Sequence, residues 1–190
     1  MHEHVFLLTG APGVGKTTTL EKVVEALKAQ GVSVGGIISR EVRKSGVRVG
    51  FEIIDLTNGN RGWLAHVDQR SGPQVGKYRV NMRDLENIGA KAIAEAIEKC
   101  AVVVIDEIGP MELFSPTFKQ AVKQALDSGK PVLAVVHAKA IDPLITEAKQ
   151  REDAGTFTVT PANRDDLPEL LTNRILDLCL RRSAFKGGKG

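Results

Sequence analysis

The sequence predicts a three-layer α/β fold: a mostly parallel sheet flanked by helices, with a β-rich insertion around residues 39–81. Three observations carry this. Continuous apolar runs at 5–8, 102–105 and 132–136 read as strands buried on both faces, and 34–38 as a further strand. Amphipathic helical patterns separate most of these runs, and strands alternating with such helices make a parallel sheet covered on both sides. Residues 39–81 have a different texture, with period-two alternation and hairpin signals.

The first run leads into Gly10, Ala11, Pro12, Gly13, Val14, Gly15, Lys16 and Thr17, a complete G-x-x-x-x-G-K-[ST] phosphate-binding loop. Both flanks suit it, because a buried strand fixes one end and a helix N-terminus turns free N–H groups toward an anion. Leu20, Val23, Val24 and Leu27 mark the helix, stopped at Gly31, and the second strand follows at 34–38. In the insertion, Val47, Val49, Phe51 and Ile53 alternate with Arg48, Gly50 and Glu52, and Asn58-Gly59 signals a hairpin. Short strands are expected at 64–67 and 78–80, and Trp63 and Tyr78 are expected to pack the insertion against the main sheet.

Leu85, Ile88, Ala92, Ile93, Ala96 and Ile97 predict the next helix, and Phe118, Ala121, Val122, Ala125 and Leu126 another that ends by Gly129. A short helix at 143–148, a strand at 156–159 and a last helix at 167–180 complete the chain. Residues 1–184 read as one domain, and 185–190 as a flexible tail.

The 190-residue chain carries a net charge of +3, which argues neither for nor against nucleic acid and leaves that partner open but unsupported. No apolar stretch is long enough for a membrane, and the N-terminus lacks a signal-peptide pattern. Cys100 and Cys179 are isolated thiols inside apolar patterns, which predicts core residues in a reducing compartment. The expectation is a cytoplasmic monomer.

Val102, Val103, Val104 and Ile105 run into Asp106 and Glu107, a buried strand with two acids at its C-terminal end, the edge where the phosphate loop sits. Lys16 can reach the β- and γ-phosphates, while Thr17 and Asp106 can hold Mg²⁺ from opposite sides. Glu107 is then placed to polarise a water for in-line attack, so Lys16 and Glu107 are the expected catalytic pair. An acid directly after the metal aspartate also favours one strand between the loop strand and the acid strand. Asn163 and Arg164 are expected to contact base or ribose. Arg40, Arg43, Arg61, Arg151 and Arg164 are all candidates to stabilise the transferring phosphoryl group. Glu112 is a candidate for the metal's outer shell, Met111, Leu113 and Phe114 for the core, and His137 for facing the γ-phosphate or capping its strand.

These stretches together resemble the small nucleoside-triphosphatase family first known from thermophiles, the THEP-type or cancer-related NTPases. The resemblance covers the opening through Thr18, Gly36, Glu41-Val42-Arg43, Gly50-Phe51 with Asp55-Leu56, and Val75-Gly76-Lys77-Tyr78-Arg79-Val80. It is most specific at Asp106-Glu107-Ile108-Gly109-Pro110-Met111-Glu112-Leu113-Phe114, and it ends on Val159-Thr160-Pro161-Ala162-Asn163-Arg164-Asp165-Asp166-Leu167. Ala162 stands where the family usually has Glu, and Ala138-Lys139 follow His137 where an arginine is expected.

The resemblance implies the P-loop NTPase fold and Mg²⁺-dependent hydrolysis of NTP to NDP and phosphate, with broad base tolerance. It implies nucleotide binding by residues Gly10 to Thr18, and by Val102, Val103, Val104, Ile105, Asp106, Glu107, Ile108 and Gly109. Two other readings use the same motifs. A nucleotide, nucleoside or polynucleotide kinase would show transfer to an acceptor. A nucleotide-dependent adaptor would bind tightly with negligible turnover, and the resident Asp-Glu pair argues against it.

Overall fold

The computed structural model describes residues 3–187. Its strands in chain order are β1 (Val5–Thr9), β2 (Val34–Lys44), β3 (Val47–Asp55), β4 (Arg61–His66), β5 (Gln74–Val75), β6 (Tyr78–Val80), β7 (Val102–Ile108), β8 (Val132–Val136) and β9 (Ala154–Thr158). The helices are α1 (Lys16–Ala29), α2 (Met82–Asp84), α3 (Lys91–Lys99), α4 (Pro116–Asp127), α5 (Pro143–Gln150) and α6 (Leu167–Gly187). All nine strands form one sheet, ordered β5-β6-β4-β3-β2-β7-β8-β1-β9. Parallel pairing runs from β2 to β9, and antiparallel pairing from β2 out to β5. One strand, β8, lies between the loop strand β1 and the acid strand β7, as expected.

The continuous apolar strands are buried because both faces of the sheet are covered. Phe6, Leu8, Val104 and Val135 pack with Leu20, Val24 and Leu27 of α1 and with Leu171 and Ile175 of α6. On the other face Leu7, Val103, Ile105 and Ala134 pack with Ile93 and Ala96 of α3 and with Phe118 and Val122 of α4. Burying one such side chain contributes about 1.5–3 kcal/mol, so these two clusters dominate the fold. Cys100 is buried and Cys179 half-buried, both as free thiols. No helix among the described residues is long and apolar enough to cross a membrane.

Four features differ from expectation. The β-rich insertion extends the main sheet edge to edge, because β2 continues past the core and its outer half hydrogen-bonds β3. The ring contacts of Trp63 and Tyr78 lie within the insertion, Trp63 on His66 at 4.4 Å and Tyr78 on Phe51 at 5.3 Å. The helix expected from Leu85 begins with α2 and a π-helical stretch, Leu85–Ala90, that turns Leu85, Gly89 and Ala90 inward. Finally, α6 runs to Gly187, past the end expected at Leu180 and into the expected tail, whose residues 188–190 lie outside the described residues.

Gly36 shows how closely β2 and β7 meet. Its φ is +111°, and a Cβ there would lie 2.0 Å from the Val104 carbonyl oxygen. Left-handed strain alone costs about 1–3 kcal/mol, and this overlap adds to it because the obstructing atom is paired backbone. Gly36→Ala is therefore expected to destabilise the protein by about 3 kcal/mol or more, measured as a lower urea midpoint.

Candidate active site

At the end of β1 the chain turns through the phosphate loop into α1. Gly13 and Gly15 take φ of +73° and +109°, values that L side chains resist. Gly10 lies against the chain after β9, where a Cβ would meet the Val159 carbonyl oxygen at 2.7 Å. Lys16 folds back across the loop, its Nζ donating to the carbonyls of Gly10 at 3.0 Å and Ala11 at 2.9 Å. The amides before α1 have no side-chain cap, which leaves this helix N-terminus open to an anion.

The acids arrive on β7 at an irregularity in its pairing with β8, between Ile105 and Ile108. The Asp106–Glu107 peptide bond is cis. Asp106 is 2% exposed and accepts a hydrogen bond from Thr17. Its Oδ2 has no partner. Burial pushes its carboxyl up to about 7, opposed by the Thr17 hydrogen bond and by Lys16, and reinforced by Glu107 and Glu21. A buried oxygen without a donor, beside a hydroxyl, is a hard-oxygen pair suited to a cation. No group of three or more His, Cys, Asp or Glu cages a metal among the described residues. One carboxylate plus one hydroxyl suits Mg²⁺, which keeps most of its waters.

Glu107 is half-buried, and burial raises its carboxyl, opposed by the charges of His137 and Lys16. His137 accepts at Nδ1 from the Lys139 N–H at 3.3 Å. It thus caps its own loop while its charge is felt at Glu107. Glu112 lies on a 3-10 turn, 2% exposed, and burial beside Glu107 and Asp106 holds its carboxyl well above the usual range.

Several expected site residues fall elsewhere. Val102, Val103, Val104, Ile105 and Ile108 are fully buried core, so of that stretch only Asp106, Glu107 and Gly109 carry polar groups to the site. Phe114, expected in the core, is 46% exposed, while Glu112 takes the buried position. No periodicity announces this, because a single 3-10 turn sets it.

Asn163 accepts from the Thr160 N–H at 2.8 Å and donates to the Thr158 carbonyl at 2.9 Å, so its amide shapes the loop after β9. Arg164 then reaches over the phosphate loop, 3.5 Å from the Val14 carbonyl oxygen. Of the other arginines, Arg40 bonds Glu21 on α1 at 2.9 Å. Arg43 pairs with Glu41, and Arg61 with Glu52, inside the insertion. Arg151 clamps Asp127 and Asp153 where the chain enters β1, at the far edge of the sheet from the loop.

A family model described as NTPase matches residues 5–172. The nucleoside-triphosphatase THEP1 of Thermofilum pendens is 50% identical over 177 residues, 93% of this chain and 97% of its own. That of Methanosarcina acetivorans is 51% identical over 170 residues, 89% of this chain and 95% of its own. Two solved structures share the fold. THEP1 from the hyperthermophile Aquifex aeolicus superposes with a TM-score of 0.79 at 34% identity, over 90% of this chain and 98% of its own. A human cancer-related nucleoside triphosphatase does so with a TM-score of 0.74 at 40% identity, over 90% of this chain and 96% of its own.

The raised Asp106 carboxyl has a consequence for the metal-free protein. The unfolded chain loses this proton near pH 3.9, the native chain only near 7. Between those values the native state holds the extra proton, so its stability falls as pH rises through the window and levels above it. Urea unfolding with a chelator present is expected to show this fall, amounting to about 4 kcal/mol at most. Asp106→Asn should remove this share of the fall, leaving that of the raised Glu107 and Glu112 carboxyls, and should be the more stable protein at pH 8.

Proposed function

Because this chain belongs to the nucleoside-triphosphatase family of the THEP1 proteins, we propose that it is a nucleoside-triphosphate phosphohydrolase that converts NTP and water to NDP and phosphate. Mg²⁺ is its cofactor, and it tolerates all common bases. The observation that carries this is the buried Asp106 carboxylate, bonded to Thr17 of the phosphate loop, with Glu107 next to it and within the field of Lys16.

The loop amides from Gly13 to Thr17 and the Lys16 ammonium bind the phosphate chain, with Ala11, Pro12 and Thr18 on the exposed rim. Lys16 exchanges its two carbonyl contacts for phosphate oxygens. Thr17 and Asp106 would hold Mg²⁺, which when bound neutralises charge on the β- and γ-phosphates. Glu107 orients the attacking water and accepts its proton, leaving NDP, phosphate and a protonated Glu107 that returns its proton to solvent. His137 and Lys16 favour the ionised form that this role needs. Positioning and electrostatics supply most of the acceleration, as phosphoryl transfer requires.

Base tolerance follows from where these contacts fall. They address the phosphate chain, which every NTP shares. Beyond them Arg164 is the side chain that overhangs the loop, with Asn163 spent on loop backbone. A guanidinium stacks on any base or pairs with any phosphate, so it discriminates weakly. Arg164, which overhangs the phosphate loop, is the arginine we assign to the transferring group. The two free thiols suit a reducing compartment, and we assign the enzyme to the cytoplasm.

Phosphate release with Mg²⁺ and each of ATP, GTP, CTP and UTP tests the proposal, with all four expected to turn over. Glu107→Gln should leave Mg·NTP affinity nearly intact and lower kcat about 100-fold or more. Lys16→Ala should lose both binding and turnover. Full activity in Glu107→Gln would refute Glu107 as the base.

A further inference from the structure

Residues 39–81 hold eight Lys and Arg against four Asp and Glu, while the rest of the chain totals −1. The positive charge of this protein therefore belongs to the insertion. Ile54, Glu52 and Gly50 alternate along β3, and Ile54 packs in the cluster beneath α1 and α6, so all three side positions share that face of the sheet. The helical segments packed on β3 and β4 are α2 and the π-helical stretch, and they lie on the other face. Gly62 of β4 shows this, since a Cβ there would meet the side chains of Asp84 and Ile88. The face of Glu52 and Gly50 is the open one.

A bulge decides what this open face carries. Trp63 and His66 are three residues apart, and a regular strand would turn them to opposite sides. The pairing of β3 with β4 shifts between Phe51 and Glu52, which sets Trp63 opposite Glu52 and His66 opposite Gly50. Both half-buried rings thus share one face, and they meet edge to face at 4.4 Å. Gly50 makes room beneath them, because a Cβ there would lie 3.0 Å from each ring.

Three exposed guanidinium groups flank the rings. Arg40 stands opposite Glu52, Arg61 opposite Ile54 and Arg79 opposite His66. Arg40 bonds Glu21 at 2.9 Å, Arg61 approaches Glu52 at 3.9 Å, and Arg79 donates to the Gly72 carbonyl at 3.1 Å. A guanidinium has five N–H donors, so each keeps some for an outside anion. The Arg61 and Arg79 rows are four β3 residues apart, about 13 Å along the sheet. That is several times the ~3.4 Å by which successive phosphates advance along a strand.

We propose that this face binds a single strand of nucleic acid: a base stacks on the rings of Trp63 and His66, and Arg40, Arg61 and Arg79 take neighbouring phosphates. The combination selects the ligand. Rings alone suit any planar molecule, and arginines alone suit any anion. Rings set among spaced guanidinium groups match bases strung on a phosphate backbone. A duplex hides its base faces and gains only the charge. The site is separate from the groups assigned to hydrolysis, and it adjoins them at Arg40, which is tied to α1 through Glu21.

Trp63 is the only tryptophan, so its emission reports this site directly. An oligothymidylate of about 12 nucleotides without terminal phosphates should quench it saturably at low salt. Thymidine monophosphate and a duplex of equal length should bind at least tenfold more weakly. With a labelled strand followed by anisotropy, Trp63→Leu should lose about five- to 100-fold in affinity, and Trp63→Phe should stay within a few fold of wild type. Arg61→Gln and Arg79→Gln should each flatten the slope of log K against log salt by about 0.7. NTP turnover should be unchanged in all four variants, which shows that they fold.

The proposal falls if the strand does not quench, or if the duplex binds as tightly, which would mark charge alone. Equal affinity for thymidine monophosphate would mark a lone-base site and also overturn it. So would quenching by phosphatidylserine vesicles but not by the strand, or a Trp63→Leu variant with full NTP turnover and wild-type strand affinity. Should Trp63→Leu lose turnover through misfolding, the quenching of wild type and the salt slopes of the two arginine variants decide.

Discussion

The parallel pairing of β8 with both β1 and β7 is the constraint on which the rest of this molecule depends. Ala134 of β8 stands opposite Leu7 of β1 and opposite Ile105 of β7. One strand thus acts as a ruler for two others. The phosphate loop leaves β1 just beyond Leu7, and Asp106 follows Ile105, so loop and carboxylate reach the same edge of the sheet at the same height. The Thr17–Asp106 hydrogen bond is the result. Backbone hydrogen bonds set this register, and core packing on both faces prevents a slip, because one residue of slip would turn every buried side chain outward.

That ruler is interrupted at one point, between Ile105 and Ile108, where the proposed chemistry sits. In a regular strand Ile105 and Ile108 would point to opposite faces, yet both belong to the core cluster beneath α3 and α4. The irregular pairing between them accommodates the difference. Such a bulge re-aims side chains next to a functional site. Here it sends Asp106 toward Thr17 and brings Glu107 beside Gly109 and the turn that carries Glu112. Two buried carboxyls, Asp106 and Glu112, lie beside the half-buried Glu107, an arrangement that disfavours folding and is retained where charge has to be controlled.

Much of the fold was legible because local rules and tertiary structure agreed. Buried parallel strands need unbroken apolar runs, and 5–8, 102–105 and 132–136 had them. The loop was legible residue by residue, since close backbone approach to an anion leaves little choice beyond glycine at 10, 13 and 15. The boundaries read less well. The helix expected from Leu85 opens as a π-helix, and β2 runs on to Lys44 once β3 is there to pair with its outer half. Propensity does not see a partner strand.

The sequence by itself determined the anion-binding loop, the acid pair at a strand end, the alternation that makes a parallel sheet, and the family resemblance. Each depends on residue type and spacing along a few turns of chain. Only the tertiary structure decided that Asn163 binds its own loop while Arg164 overhangs the phosphate loop, and that Arg151 stands at the far end of the sheet from it. It alone turned Glu112 inward and Phe114 outward. Those outcomes depend on which groups meet across the sheet and which lose their water. Burial and distance are properties of the packed molecule, and local spacing does not encode them.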